Sequence, residues 1–175
     1  MDAALSWFQI VAILGAGVAM VTDVRTGKIY NWLTFPMMVS GWLAHFLWAG
    51  VSGLAWSMAA TLLGIALYLW LALFGLIGMG DVKLLGGIGA WGGCQYVIWV
   101  FLIASAVGLP HALFILYLNH GKQALAMLTT SYLTGSFLSK RLPDAQDPLQ
   151  YKFYLGQDLF LGCLLARILH LPPLW

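Results

Sequence analysis

The sequence predicts an all-α integral membrane protein, a polytopic bundle of about six transmembrane helices, and three observations carry that prediction. Of the 175 residues, 62% are hydrophobic and 8% are charged, against roughly 25% charged in an ordinary soluble domain. The apolar residues fall in runs of membrane length, because a helix needs about 20 residues to cross a hydrocarbon core. The polar residues gather between those runs, and six crossings would use about 120 positions and leave short connections. The expected organisation is one membrane-embedded domain over residues 1–175. The same composition excludes a water-soluble enzyme and a disordered chain. Eight Lys and Arg residues, scattered along the chain, are too few for an electrostatic nucleic-acid binder.

The spans follow in order. Residues 4–22 form the first; the run is long for a signal-peptide core, has no basic segment before it, and ends in Thr22 and Asp23, so it is expected to remain as a membrane helix. The second runs over 32–48, with Trp32, Trp42 and Trp48 suited to the interfaces and a turn over Gly50–Gly53 closing it. The third covers 54–77. From Leu84 to Leu118 there is one unbroken apolar stretch, which as a single helix would be about 52 Å long, far beyond a core of roughly 30 Å. It is expected to break at Gly92–Gly93, giving a short fourth helix over 82–91 and a long fifth over 96–118. In the polar segment 119–150, residues 122–133 have the spacing of a helix lying in the interface. Residues 153–171 give the sixth span.

In this arrangement Arg25, Lys28, Lys83, Lys122, Lys140, Arg141 and Lys152 share one side, and Arg167 alone lies elsewhere. The positive-inside rule makes that side cytoplasmic and independently requires two crossings between Leu84 and Leu118.

There is no Glu, and the acids are Asp2, Asp23, Asp81, Asp144, Asp147 and Asp158. Asp23 ends the first span and Asp81 begins the fourth, both at the cytoplasmic boundary. Ionisable groups near membrane depth point to function by default; the plainer reading is a loop carboxylate, with Asp81 capping the helix that follows. Gly78 and Gly80, in Gly-x-Gly-Asp order, let another backbone come close to the Asp81 carboxyl. Peptide hydrolysis needs such room for an extended substrate. It also needs an acid and a base, which two neighbouring carboxyls supply because one retains a proton.

The segment from Asp23 to Thr34 (DVRTGKIYNWLT), followed after two spans by Gly78 to Leu85 (GMGDVKLL) and Gly89 to Gly92 (GAWG), resembles the type IV prepilin peptidase family of intramembrane aspartic proteases. The family usually has Pro where Tyr30 stands. The resemblance implies catalytic aspartates at Asp23 and Asp81, acting at the cytoplasmic face of the bacterial inner membrane without metal or organic cofactor. It implies substrates that are prepilins or pseudopilins, whose short basic leader is cut before a hydrophobic helix, and partners in pilus or secretion assembly. Longer members carry a cysteine-rich insertion after the first span and also methylate the new N-terminus. Here Asn31 follows Asp23 closely, no cysteine cluster exists, and the expectation is a peptidase without methyltransferase activity, similar to the short members that serve Flp or tad-type pili.

Other polar residues carry plainer readings. Lys83 is either an anchor to lipid phosphate or a group that tunes the aspartate pair. Arg25 and Lys28 are read as topology determinants. Asp144 and Asp147 lie beside Pro143 and Pro148 in a solvated turn. Asp158 is expected to bond a neighbouring helix or cap its own, and it cannot pair with Arg167 within one helix. His45, His111, His120 and His170 share no metal-ligand spacing. Cys94 and Cys163 read as core residues. Two other functions remain at this point: a small proton- or cation-coupled transporter, which would place its acids at the bilayer midplane, and an inactive membrane subunit of a pilus assembly.

Overall fold

The computed structural model describes residues 2–73, 77–120 and 155–169. Among them every element is a helix: α1 (Asp2–Thr26), α2 (Asn31–Leu73), α3 (Met79–His120) and α4 (Leu155–Ile168). Trp7–Thr26, Asn31–Leu73 and Met79–Ala112 are long and apolar enough to cross a membrane. Their outer faces carry large exposed hydrophobic side chains such as Trp7, Leu14, Leu47, Trp56, Leu62 and Leu109, as lipid contact requires. The expected interfacial helix over 122–133 lies outside the described residues.

Two of these helices double back. A straight α2 of 43 residues would be about 64 Å long, but its backbone leaves helical geometry at Ala49 and at Gly50, where φ is 63°. The Trp42 indole then donates to Thr61 Oγ1 at 2.9 Å across 19 residues, a separation of about 28 Å along a straight helix. The Trp42 indole is thus used to join the two halves of the hairpin. In α3 the break is at Gly93, with φ 82° and ψ 173°, a conformation reserved almost entirely for glycine. The backbone at Gly64 faces both Leu85 and Val97, which a straight helix would hold about 18 Å apart.

The other three helices pack around α3. The α2 hairpin and both α1 and α4 lie against it, α4 also packs on α1, and α1 meets α2 through Phe8 stacked on His45 at 4.4 Å and Met37 against Gly15. Val82, Leu84, Leu85, Ile88, Val97, Val100 and Ala104 of α3 are all sealed in the core. Lipid offers no hydrophobic drive between helices, so close backbone approach and interhelical hydrogen bonds do the joining. Gly89 allows α3 to lie against the Ala60 carbonyl of α2, where a Cβ would collide. Ser57 Oγ donates to the Ala90 carbonyl at 2.6 Å, and the Trp91 indole to the Met37 carbonyl at 2.9 Å.

The helix α4 has 14 residues, about 21 Å, and falls within the sixth span expected over 153–171, whose two ends lie outside the described residues. It runs antiparallel to α1: Gly156 meets Asp23, Phe160 meets Gly17, and Arg167 Nη1 donates to Gln9 Oε1 at 2.9 Å. It also runs antiparallel to the second half of α3, with the Tyr96 hydroxyl donating to the Cys163 carbonyl at 2.8 Å. Cys163 is buried and Cys94 half-buried, both as free thiols.

Candidate active site

The last turn of α1, the connection over residues 27–30, the first residue of α2 and the start of α3 line one open cavity. Its volume is about 350 Å3, and its lining includes Asp23, Lys28, Tyr30, Asn31, Gly78, Gly80 and Asp81. The four residues singled out by the motifs therefore converge, although Asp23 and Asp81 stand on different helices.

Local sequence explains the placement of each. The helix α1 ends at Thr26, and Gly27 directly after it still donates its N–H to the Asp23 carbonyl at 2.7 Å while its positive φ of 67° turns the chain away; this is the usual glycine stop immediately after the last helical residue. Asp23 therefore lies in the final turn of α1, with its side chain buried. A four-residue connection then leads into α2, and Ile29 of that connection lies against Gly80, where a Cβ would stand 3.0 Å from the Ile29 Cβ. The Asp81 N–H donates to the Gly78 carbonyl at 3.1 Å. Because α3 begins at Met79, Asp81 lies inside the first turn and is not the cap of a helix starting at Val82.

The two carboxyls differ in their partners. Asp23 Oδ2 accepts from the Gly156 N–H at 3.1 Å, a bond across 133 residues from the first turn of α4. Gly156 has no side chain to spare there: a Cβ would stand 2.9 Å from Oδ2. Asp81 Oδ1 is buried and has no hydrogen-bond partner among the described residues. A buried polar atom without a partner is uncommon and calls for a reason. Asp23 and Asp158 both lie within electrostatic reach of Asp81.

Lys83 does not line the cavity. Its ammonium donates to Asn31 Oδ1 at 3.0 Å and sits 5.5 Å from the centre of the Phe35 ring, so it ties the start of α3 to the start of α2. Lys28, read from sequence as a topology determinant, does line the cavity. Among the described residues no group of His, Cys, Asp and Glu is arranged to hold a metal.

Sequence reasoning missed one contact to the cavity: the Gly156 N–H carries no signal in a single sequence, since any residue but proline supplies one. Asp158 is buried on α4, and His111 Nδ1 of α3 lies 3.2 Å from its Oδ1 and 3.3 Å from Oδ2. Of the two roles expected for Asp158, bonding to a neighbouring helix is the one seen.

Two relatives, both described as prepilin leader peptidase/N-methyltransferase and coming from Burkholderia pseudomallei strains 1026b and K96243, are 38% identical to this chain over 114 residues. The match covers 61% of this chain and 36% of each relative, so the chain spans little more than a third of their length. No solved structure matches the chain. The model of the type IV leader peptidase family matches residues 10–113, a segment that holds Asp23, Asp81 and every other lining residue named above, and the chain belongs to that family.

Proposed function

We propose that the chain is an aspartic endopeptidase that removes the short basic leader of a prepilin or pseudopilin, with Asp23 and Asp81 as its catalytic pair. The observation that carries this reading is the single cavity lined by two aspartates from different helices together with Gly78 and Gly80. In the proposed reaction one carboxylate takes a proton from water, whose oxygen attacks the scissile carbonyl carbon. The other, protonated carboxyl donates to the carbonyl oxygen. The tetrahedral intermediate then breaks its C–N bond as the leaving amine receives the proton first taken from water. Gly78 and Gly80 leave the space beside Asp81 that an unwound substrate backbone needs.

The reading extends to placement. Six crossings of the inner membrane, counting both halves of α2 and of α3, put the cavity on the cytoplasmic side. Support comes from Arg25, Lys28 and Lys83 at the cavity end of the bundle and from Arg167 at the opposite end, paired with Gln9. A basic leader remains on that side while its helix enters the bilayer. The connection between α1 and α2 is four residues long, which leaves no room for a cysteine-rich insertion. On that ground we read the chain as a peptidase without methyltransferase activity, of the type serving Flp or tad pili. A transporter fits less well, because both acids lie within one turn of a helix terminus and not at mid-depth.

The test is co-expression with a candidate prepilin. Asp23→Asn and Asp81→Asn each keep the side-chain shape and cannot exchange the proton, so each abolishes cleavage while the protein still inserts. Normal processing by either variant would refute the pair. Mass spectrometry of the cleaved product, with S-adenosylmethionine supplied, is expected to show an unmethylated N-terminus.

A further inference from the structure

We propose that Asp158 and His111 are a positioning pair, whose bond holds the start of α4 in place so that the Gly156 N–H meets Asp23. The inference rests on the reading of Asp23 and Asp81 as the reacting groups, and it assigns a role to two residues outside their cavity.

The geometry of α4 carries it. Gly156 and Asp158 are two residues apart on a helix, so their directions differ by about 200°, and the first turn of α4 faces α1 with one and α3 with the other. On the α1 side the Gly156 N–H donates to Asp23 Oδ2 at 3.1 Å. On the α3 side His111 Nδ1 sits between both Asp158 oxygens, at 3.2 and 3.3 Å. A carboxylate only accepts, so the ring nitrogen is the donor. Gly108, one turn before His111, lets the α3 backbone lie close: a Cβ there would stand 3.2 Å from Asp158 Oδ2. The first turn of α4 is therefore a spacer clamped between α3 and the Asp23 carboxyl.

Energetics point the same way. Asp158 is 1% exposed, and a hydrogen bond to a buried carboxyl gives little net stability because desolvation offsets most of the attraction. A well-packed apolar pair would hold the helices together as firmly. What the apolar pair lacks is direction, since a hydrogen bond fixes orientation and dispersion does not. The donor delivered to Asp23 has to be placed to within a fraction of an ångström to matter, and the His111–Asp158 bond lies half a helical turn from it.

The experiment measures prepilin cleavage by purified protein in phosphatidylethanolamine/phosphatidylglycerol vesicles, with kcat and KM determined separately. Asp158→Ala is expected to lower kcat roughly 10- to 100-fold, the scale on which an ångström of misplacement acts, with KM changed by no more than about twofold. Asp158→Asn, which can still accept from His111, recovers most of that loss. In the Gly156→Ala background Asp158→Ala adds little, because both act through the same contact. His111→Ala reproduces the Asp158→Ala phenotype and serves in its place should Asp158→Ala fail to insert, since the His111 side chain is one-third exposed. The proposal is overturned if kcat is unchanged in the Ala variants, if the effect appears in KM, or if the losses at 156 and 158 multiply. Asp23→Asn and Asp81→Asn are run alongside. Active Asn variants there would defeat the catalytic reading itself, whereas dead ones beside fully active Asp158 and His111 variants would defeat only the positioning pair.

Discussion

Replacing Gly156 by Ala separates the stability of the fold from the placement of Asp23. The added methyl would stand 2.9 Å from Asp23 Oδ2, 3.2 Å from its Cβ and 3.4 Å from its Cγ, where ordinary contact begins at 3.4 Å. The carboxyl oxygen has to retreat by about half an ångström to relieve the closest approach. It can do so by rotating, since it is the end of a short side chain, and the bond from the Gly156 N–H is lost as it turns. For the fold this is inexpensive: alanine is favoured over glycine inside a helix by about 0.5–1 kcal/mol, which offsets the small strain. For the reaction it is not, because a displacement of this size lowers kcat roughly 10- to 100-fold, or about 1.4–2.7 kcal/mol of transition-state stabilisation. The assay pairs single-turnover cleavage of a prepilin in vesicles with a thermal melt followed by circular dichroism. The expected result is a Tm equal to or above that of the parent with a much slower reaction. A variant that cleaves at the parental rate would show that Asp23 does not need the α4 donor, and the assignment of Gly156 to the site would fail.

Other consequences are simpler to measure. Gly93→Ala meets no neighbouring atom but forces φ 82° and ψ 173° on an L residue, so it should cost about 1–3 kcal/mol and lower the Tm; an unchanged melt would mean that the α3 reversal is made elsewhere. Gly89→Ala pushes a methyl into the Ala60 carbonyl, which cannot rotate away, and an overpacking cost of about 1–3 kcal/mol is expected in the same melt. Ser57→Ala removes the 2.6 Å bond to the Ala90 carbonyl and should cost only about 0.6 kcal/mol, the average for such bonds between membrane helices. Each of these three lies away from the Asp23–Asp81 cavity, so kcat measured below the melting transition should stay close to that of the parent.

The parts of this fold that could be read from sequence are those with a local cause. A 35-residue apolar stretch is too long to cross a bilayer once as a straight helix, and the break expected at Gly92–Gly93 includes Gly93, where the reversal occurs. The same logic located the turn near Gly50. Asp23 and Asp81 were recognisable because each ends or begins an apolar run and carries its own flanking motif. What stayed hidden has no periodicity to betray it. The bond from Gly156 to Asp23 joins positions 133 apart, and that between His111 and Asp158 joins positions 47 apart. A histidine beside Pro110 in an apolar helix looks the same in sequence whether it faces lipid or a buried carboxylate. The partner of Trp42 was hidden for a similar reason: only the hairpin shows that its indole reaches Thr61.

The contact between α1 and α4 also sets an order in time. The ribosome finishes both aspartates well before it reaches residue 155, so while a further 75 residues are added the nascent chain carries the two acids without the amide that meets one of them. On the proposed reading, hydrolytic competence then arrives late, when the last described helix slots in beside the first, and a polypeptide stalled or clipped before that step holds both acids without the donor that orients one of them.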